Sequence, residues 1–330
     1  MSSKLGFVMT LPELQDFYKG EAAGDILELM NQTNDILNDI PFMESNQSDG
    51  HLTRIRTGLP EVYWRRLYRG TPYSKSKFAQ VKEPCSMMEA RMMIDEAEAK
   101  LYGDNANKFR TSEGISFMEA MRQKAAYSLF YGDSDANKDE FKGFALRYPA
   151  LTAPNVVNAG GTGTETCTSA WVISWGDRSA HGLYPKGSKG GLEHEDLGRQ
   201  TVRDDSGNDY EALVSRYQWR LGLALRDWRS AVRVANIPVA ALSKRKGQSG
   251  FIDLQALFIA AKNKMPNAMR QKAVWYANED LMTAIELQST DAGNVHLVYG
   301  EAFKSEGTPL LFGRPVRQCD AIKSNEDALV

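Results

Sequence analysis

Residues 51–82, HLTRIRTGLPEVYWRRLYRGTPYSKSKFAQVK, are the part of the sequence that says most about the fold. Eight of these residues are Arg or Lys, one residue, Glu61, is acidic, and aromatic residues lie between the bases. Two segments with the composition of strands, Leu52–Thr57 and Val62–Arg69, flank the turn-forming Gly58-Leu59-Pro60. The stretch therefore predicts a basic two-stranded ribbon.

A lone ribbon of this kind is only marginally stable in water, so its aromatic face needs a surface in the same chain or in a neighbour. Three interpretations of Trp64–Arg69 compete: a solvated ribbon without a partner, a surface that stacks on nucleic-acid bases, and an arginine-rich protein interface. We favour the interface, because Trp, Tyr and Arg are enriched where proteins bind each other most tightly. The candidate contact residues are Arg54, Arg56, Trp64, Arg65, Arg66 and Arg69.

Four segments outside the ribbon carry apolar residues at the three- and four-residue spacing of a helix. They are about Asp25–Asp39, which Pro41 ends; a stretch after Thr111-Ser112-Glu113 that ends at Gly132; one that Asp253 caps; and one that follows Asn278. The second is the longest predicted helix.

Strands are predicted where apolar and polar residues alternate. The clearest alternation runs from Tyr217 to Leu223 and predicts one buried face and one solvated face. Helices and strands follow one another without a strand–helix–strand cadence, which favours an α+β fold over a doubly wound sheet. The other candidate strands are Ser169–Trp175, Gln271–Tyr276, Val295–Tyr299 and Leu310–Gln318, the last interrupted by Gly313 and Pro315.

The composition is that of a globular protein, with 42% hydrophobic and 25% charged residues. A formal net charge of -2 names no partner. The three cysteines, Cys85, Cys167 and Cys319, share no short spacing and predict reduced thiols. The longest apolar run, Ala256–Ala261, is too short to span a membrane, and the N-terminus has no apolar signal region. These features predict a protein that is made in the cytosol and does not enter a membrane.

The sequence contains no motif that is typical of an enzyme. The glycine-rich residues 158–164 lack the Lys and hydroxyl of a phosphate-binding loop, and Gly182–Gly187 is better explained by a turn between strands. No second His stands four residues after His194, as a zinc protease would need. We therefore predict no catalytic site, no metal and no cofactor. Six acidic residues are predicted to be solvated loop charges, although they also suit an acidic rim that meets the ribbon of another subunit: Glu193, Glu195, Asp196, Asp204, Asp205 and Asp209.

Several motifs resemble a known family. In the C-terminal third, Trp275-Tyr276-Ala277-Asn278, Leu310–Val316 and Cys319–Ile322 resemble the closing signature of Hong Kong 97-like major capsid proteins of tailed bacteriophages. Further motifs, in the same order over about residues 25–323, are similar to capsid subunits of short-tailed phages (podoviruses): Asn31–Leu37, Arg56–Pro60, Trp64-Arg65, Ser74–Ser76, Phe130–Gly132, Phe144–Tyr148, Tyr184–Ser188 and Leu192–Gly198.

This resemblance implies a Hong Kong 97-like capsid fold. It implies an N-terminal arm and helix in residues 1–48, and an extended E-loop in residues 49–92 that reaches over an adjacent subunit. A peripheral P-domain with a long spine helix would occupy residues 93–150. An axial A-domain that can include P-domain strands would occupy residues 151–300, and a return strand residues 301–330.

The resemblance also implies a function and partners. The chain would be the structural major capsid protein that self-assembles as pentamers and hexamers into the icosahedral head, inside the host bacterial cytoplasm. Its partners would be a portal, a cement or decoration protein and packaged double-stranded DNA, which the inner face contacts without sequence specificity. Because no charged helical leader is fused to the chain, a separate scaffolding protein is implied. The alternative from the residues alone is an oligomeric nucleic-acid-binding protein that uses the ribbon 51–82.

Overall fold

The computed structural model describes residues 32–101, 106–290, 297–299 and 309–330. The described chain contains helices and β-sheets in which parallel and antiparallel strand pairs are mixed, which confirms the predicted α+β class. It divides into two compact units. Among the described residues, unit 1 is formed by 91–119 and 195–216, and unit 2 by 32–90, 120–194 and 217–330.

The strands form two sheets. The first, in the order β1-β6-β8-β3-β2 with β7 also paired to β8, consists of β1 (Phe42–Glu44), β2 (Gly50–Gly58), β3 (Lys77–Asp95), β6 (Ala180–Tyr184), β7 (Leu192–Arg203) and β8 (Asp209–Leu225). The second, in the order β11-β12-β13-β10-β5-β9-β4, consists of β4 (Val156–Asn158), β5 (Cys167–Ser174), β9 (Ala231–Pro238), β10 (Ala273–Ala277), β11 (Leu297–Tyr299), β12 (Pro309–Leu311) and β13 (Arg314–Gln318).

The described helices are α1 (Ile36–Asp39), α2 (Glu96–Leu101), α3 (Ala106–Tyr131), α4 (Phe144–Arg147), α5 (Val239–Leu242), α6 (Leu254–Lys264), α7 (Asn267–Arg270) and α8 (Glu279–Thr290). Two of them begin where the sequence predicts. The Asp253 carboxylate accepts a hydrogen bond from the Ala256 amide at 3.1 Å, and the Asn278 side chain accepts one from the Leu281 amide at 3.1 Å. The predicted helices at these positions are confirmed as α6 and α8.

Helix α3 is the longest of the described helices, as predicted, and Gly132 follows its last residue. Its predicted start after Glu113 is wrong, because the helix already begins at Ala106. The Thr111 hydroxyl donates to the Asn107 carbonyl at 2.9 Å inside the helix, so it does not serve as a cap. The fully buried part of the predicted apolar stripe is Met121, Ala125 and Leu129.

The first predicted helix is shorter than expected where it is described. Its residues 25–31 lie outside the described residues, and α1 covers only Ile36–Asp39. The prediction is wrong at Asn34, whose backbone forms an isolated β-bridge with Cys319. The Asn34 side chain also accepts a hydrogen bond from the Ala321 amide at 3.1 Å. These contacts with the C-terminal segment hold Asn34 extended.

The predicted strand Tyr217–Leu223 lies inside β8, but its solvated face is not observed. Gln218 is buried and donates a hydrogen bond to the Glu89 carboxylate on β3 at 3.4 Å. A side chain at Gly222 would come within 2.7 Å of the Pro84 carbonyl oxygen, so β3 also lies close at this point. Neighbouring chain therefore covers positions that the alternation assigns to solvent.

The predicted strand Leu310–Gln318 is in fact a hairpin of β12 and β13. Phe312 and Gly313 form its two-residue turn with φ of 53° and 73°, the left-handed conformation that short hairpins need. Ser169–Trp175 and Gln271–Tyr276 are confirmed as β5 and β10. Of the strand predicted at Val295–Tyr299, the residues of β11 are confirmed, and residues 295 and 296 lie outside the described residues.

The second sheet and helices α6 and α8 share a hydrophobic core. Phe258 of α6 contacts the Trp275 ring of β10 edge-on, with 5.1 Å between the ring centroids. Each large side chain buried in this way contributes about 1.5–3 kcal/mol to folding. This core holds the second sheet in place, and the C-terminal residues contact that sheet.

Candidate functional site: an exposed arm with a clamped root

The predicted ribbon exists, but its second strand is not the predicted one. Strand β2 pairs antiparallel with residues 77–84 of β3, from Gly50 opposite Pro84 to Gly58 opposite Lys77. The predicted strand Val62–Arg69 is wrong, because those residues lie in the long connection between the paired strands. We call residues 50–84 the arm, residues 59–76 its tip, and the end near Gly50 and Pro84 its root.

The tip contacts very little of its own chain. Every residue from 59 to 75 is exposed, and Trp64, Tyr68 and Tyr73 are fully exposed. The other large apolar side chains exposed on the arm are Leu59, Val62, Tyr63, Leu67 and Phe78. A cluster of this many exposed large apolar side chains marks an interaction surface in a folded protein. Among the described residues, the chain provides no surface that covers it.

The arginines of the arm also have uncompensated charges. Arg54 and Arg56 lie on β2, opposite Gln80 and Phe78, whereas Arg65, Arg66 and Arg69 lie on the tip. None of these five arginines forms an ion pair with a described residue. The Arg56 guanidinium lies over the Phe78 ring at 5.2 Å, and Arg65 Nε donates to the Arg69 carbonyl at 3.0 Å. The structure thus brings together the six predicted contact residues on one cationic and aromatic arm.

The tip contains one strained residue. Tyr68 has φ of 62° in a turn closed by a 3.3 Å hydrogen bond from the Arg69 amide to the Arg66 carbonyl. For a bulky L-residue this conformation costs roughly 1–2 kcal/mol.

Elsewhere in the tip, the Tyr63 hydroxyl donates to the Glu61 carboxylate, and this hydrogen bond raises the pKa of Tyr63. The single acid of the tip is therefore already engaged.

A buried ion pair clamps the root. The two guanidinium nitrogens of Arg147 each lie 2.8 Å from one carboxylate oxygen of Glu83, and both side chains are largely buried. Arg147 Nη2 also donates to the Leu223 carbonyl at 3.0 Å. At the same point a side chain at Gly50 would lie 2.4 Å from the Glu83 carbonyl oxygen, so only glycine fits. The arm therefore leaves the body from a fixed base.

Two histidines lie beside this root. Arg226 Nη2 is 2.7 Å from His51 Nε2, the Asn46 amide is 3.3 Å from His51 Nδ1, and Arg226 also pairs with Asp177 at 3.0 Å. His181 is fully buried, lies edge-on to His51, and has no hydrogen bond on either ring nitrogen. Burial, with Arg226 as a second cause, lowers the pKa of His51, and the same causes lower the pKa of His181 to about 4. Both rings are held neutral at pH 7.

Most of the acidic residues that were predicted to suit an acidic rim have partners within unit 1. Asp196 pairs with Arg110 at 2.9 Å, Asp209 pairs with Arg203 at 2.8 Å, and Glu195 pairs with Arg216. Asp204 accepts hydrogen bonds from main-chain amides of its own turn, which lower its pKa. Their charges are therefore largely used inside the chain.

The other candidate sites show no catalytic arrangement. Among the described residues, no group of three or more His, Cys, Asp and Glu is placed to hold a metal ion. His194 stacks on Tyr217 at 4.7 Å, and His296 lies outside the described residues. In the glycine-rich loop the Gly161 amide donates to the Asn236 carbonyl at 2.8 Å, so this amide does not face a phosphate site. In the described parts, no helix is both long and apolar enough to cross a membrane.

The three cysteines are free thiols, as predicted. Cys167 and Cys319 are buried and Cys85 is half-buried. Burial raises the pKa of Cys319 to about 12 and that of Cys85 to about 11, so neither is a reactive thiolate.

The root residues were missed by the sequence prediction. Glu83 and Arg147 are separated by 64 residues, and His51 and Arg226 by 175. No local motif links such partners, and their charges resemble those of ordinary surface residues. The one available signal was the excess of basic residues in 51–82. It predicts the arm but not the Glu83–Arg147 pair that orients it.

Comparisons with known proteins identify the family. The family model described as Major capsid protein GP7 matches residues 18–330. The chain belongs to this family of phage major capsid proteins. A chain of the bacteriophage Epsilon15 structure, from a podovirus, is 29% identical, with 99% of each chain covered and a TM-score of 0.74. A chain of the bacteriophage JBD30 capsid is 9% identical, with 95% of this chain and 99% of that chain covered and a TM-score of 0.50, a likeness of fold. None of the curated proteins matches the sequence.

This assignment confirms the predicted Hong Kong 97-like capsid fold and the predicted structural function. The capsid protein builds the head of a tailed phage and is a component of the virion, not an enzyme. Self-assembly into a shell follows from that function. The alternative of an oligomeric nucleic-acid-binding protein is not the function that the family match shows.

Proposed function

We propose that the arm of this capsid protein lies on an adjacent subunit of the shell and that Arg54, Arg56, Trp64, Arg65, Arg66 and Arg69 make this contact. The observation that carries the proposal is that every residue from 59 to 75 is exposed, with aromatic rings and arginines without ion pairs on one segment. Burial of Trp64 and Tyr68 against a neighbour supplies the apolar part of the contact, and the arginines supply its charge complementarity.

An acidic surface that suits these arginines is present in unit 1. The carboxylates of Glu98 and Glu113 form no ion pair with a described residue. Burial raises the pKa of both, and the neighbouring Asp95 carboxylate raises that of Glu98 further. A cation from a second subunit would relieve this repulsion. Glu98 and Glu113 are therefore our candidates for the surface that receives Arg65 and Arg66.

A shell held by such contacts needs only a few kcal/mol from each, because every subunit is held by several neighbours. Charge pairs at the arm tip set the choice of partner, while the clamped root fixes the direction in which the arm leaves the body. In this proposal the arm is the main part of the E-loop (49–92). The P-domain (93–150) contains the spine helix α3, the A-domain covers 151–300, and the return strand lies in 301–330.

The proposal includes the finer assembly and its partners. The subunits form pentamers and hexamers around packaged double-stranded DNA, which the inner face contacts without sequence specificity. A separate scaffolding protein, a portal and a cement or decoration protein complete the head.

Charge reversal tests the arm contact. The variant Arg65→Glu/Arg66→Glu should give a folded, soluble subunit by circular dichroism but no shells in electron micrographs. The matched control Lys244→Glu/Lys246→Glu reverses two exposed bases of a surface loop and should assemble normally. Normal particles from the Arg65/Arg66 variant would remove the proposal.

A charge swap tests the receiving surface. Adding Glu98→Arg/Glu113→Arg to the Arg65→Glu/Arg66→Glu variant should restore shells, because the combined variant again has opposite charges across the contact. Neither pair of changes alone should form shells. Failure of the combined variant, with the single pairs behaving as expected, would place the receiving surface elsewhere and leave the arm contact in place.

A further inference from the structure

Residues near the end of the chain lie in unit 2 with bends at Ser324 and Asn325 and with a partner at almost every position. We call residues 323–329 the strap. Its main chain pairs with β5, where the Glu326 amide donates to the Cys167 carbonyl at 2.7 Å and the Cys167 amide donates to the Glu326 carbonyl at 3.1 Å. At its start the Thr168 hydroxyl donates to the Lys323 carbonyl at 2.8 Å. β5 is an interior strand of the second sheet, and the strap pairs with its first residue, where β10 is not paired with it.

The other end of the strap is held by one buried amide side chain. The Leu329 amide donates to Asn236 Oδ1 at 2.7 Å, and Asn236 Nδ2 donates to the Leu329 carbonyl at 3.0 Å. Asn236 is buried at the end of β9 and has φ of 59°, a left-handed conformation. Next to it, the Ala328 amide donates to the Gly163 carbonyl at 3.0 Å. These hydrogen bonds are made to main-chain groups of the strap, so they do not depend on which side chains residues 328 and 329 carry.

One buried carboxylate links the side chains of the strap to the rest of unit 2. Glu326 points into unit 2 and pairs with Arg233 at 2.9 Å, with 6% and 5% of the two side chains exposed. It also accepts hydrogen bonds from the hydroxyls of Ser169 and Tyr131. Burial and the adjacent carboxylate raise the pKa of Tyr131, so this phenol stays a donor at neutral pH.

The pocket around this carboxylate is held by residues of the body. Arg233 Nη1 donates to the Tyr148 carbonyl at 3.2 Å, and its guanidinium lies over the Trp171 ring at 5.2 Å. Arg233 Nε donates to Ser169 Oγ at 3.1 Å. The cation is therefore positioned by contacts that do not involve the strap, as the binding pocket of a receptor would be.

We propose that the site formed by Arg233 and Asn236 binds a peptide segment that carries one buried carboxylate, and that the strap is its ligand, which docks and leaves as a unit. The Tyr131 hydroxyl binds Glu326 at the last residue of α3, while Arg233 and Asn236 belong to β9. Docking of the strap therefore fastens the end of the long helix to the second sheet. This inference does not depend on where the arm binds.

A labelled synthetic peptide with the sequence of residues 322–330 tests the site on the full chain. The wild-type chain should not bind it, because its own strap occupies the site at a high effective concentration. The variant Glu326→Ala, whose strap is weakened and whose pocket is intact, should bind the peptide at least about tenfold more tightly than the wild-type chain does. Equal binding by both chains would overturn the proposal.

Two matched controls define the pocket. The same peptide with Ala in place of the glutamate should lose at least about tenfold in affinity for the Glu326→Ala chain. The double variant Glu326→Ala/Arg233→Gln should not bind either peptide. Unchanged affinity in either control would show that the carboxylate pocket is not the site.

Hydrogen exchange of the wild-type chain keeps the proposal testable if Glu326→Ala does not fold. The amides of Glu326, Ala328 and Leu329 should exchange with one shared opening rate that is faster than that of the core amides of β5. Exchange of these three amides only through global unfolding would show that the strap is an ordinary part of the core, and would overturn the proposal.

Discussion

The arm tip and the C-terminal strap are both irregular segments outside helices and strands, yet their surroundings are opposite. The strap has main-chain partners from Lys323 to Leu329 and a buried carboxylate, whereas the tip exposes every residue from 59 to 75. The strap is also poor in aromatic residues, while the tip carries several. The strap is held by residues of its own molecule, whereas the described residues offer no such surface to the tip.

The difference shows how one chain separates folding from assembly. A contact that stabilises the free subunit must be satisfied within the subunit, as the Arg233–Glu326 pair is. A contact that stabilises the shell must stay open until a neighbour arrives, as at Trp64. Changes in the strap and the root should therefore alter the stability of the free subunit, and changes in the tip should alter assembly alone.

The largest expected effect is on the strap. Glu326→Ala leaves the Arg233 cation buried without its partner, and it should lower the free energy of unfolding by about 3–5 kcal/mol. Urea denaturation of the free subunit measures this. The conservative change Asp327→Asn at the neighbouring exposed position is the control and should cost less than about 1 kcal/mol. Equal losses in the two variants would contradict the role assigned to the buried carboxylate.

The root should respond nearly as strongly. Glu83→Gln keeps the shape of the side chain but removes the charge that faces Arg147, and it should cost about 1.5–3 kcal/mol in urea denaturation. Lys82→Gln, which removes the exposed pair with Asp49, should cost less than about 1 kcal/mol. A Glu83→Gln variant as stable as wild type would show that the clamp does not hold the arm.

Acid should loosen the root. The folded state holds the pKa of His181 at about 4, below its unfolded value of 6.5, so the unfolded state binds more protons between these values. The stability from this residue is complete above about pH 6.5 and is lost as the pH falls towards 4, by as much as about 3 kcal/mol. Unfolding free energies at pH 7 and pH 4.5 measure the loss, which should be smaller in His181→Gln. The same loss in that variant would assign the effect to other groups; the charged and titratable groups that act on His181 are Arg226, His51 and Asp177.

The smallest effect on the free subunit is expected at the tip. Trp64→Ala should change the free energy of unfolding by no more than about 0.5 kcal/mol, since the side chain contacts little of its own chain. The same change should lower the yield of shells, measured by sedimentation. A loss of several kcal/mol in the free subunit would mean that Trp64 is buried in its own molecule.

Local signals in the sequence were sufficient for much of the fold. Asp253 and Asn278 cap α6 and α8 because a cap needs only its own first turn. The start of α3 was misplaced because Thr111 satisfies its hydroxyl within the helix. The strand predicted at Val62–Arg69 has the residues of a strand, but β2 finds its partner at residues 77–84 instead. Composition does not encode register.

The six contact residues were found from composition, since an excess of arginine and aromatic residues is visible without a structure. The buried pairs were not, because Glu83 and Arg147 or Arg233 and Glu326 become partners only through the fold. The same charges on a surface would be solvated and nearly neutral in energy. Burial decides their importance, and burial is a property of the complete chain.

Hydroxyl-radical footprinting of Trp64 and Tyr68 tests the central claim most directly, on free subunits and on assembled shells of the same protein. Both rings should react freely in the subunit and become protected by about tenfold or more in the shell, because a neighbour then covers them. Val330, which is exposed outside the arm, serves as the internal reference. Rings that are already protected in the free subunit, or that stay fully reactive in the shell, would contradict the account.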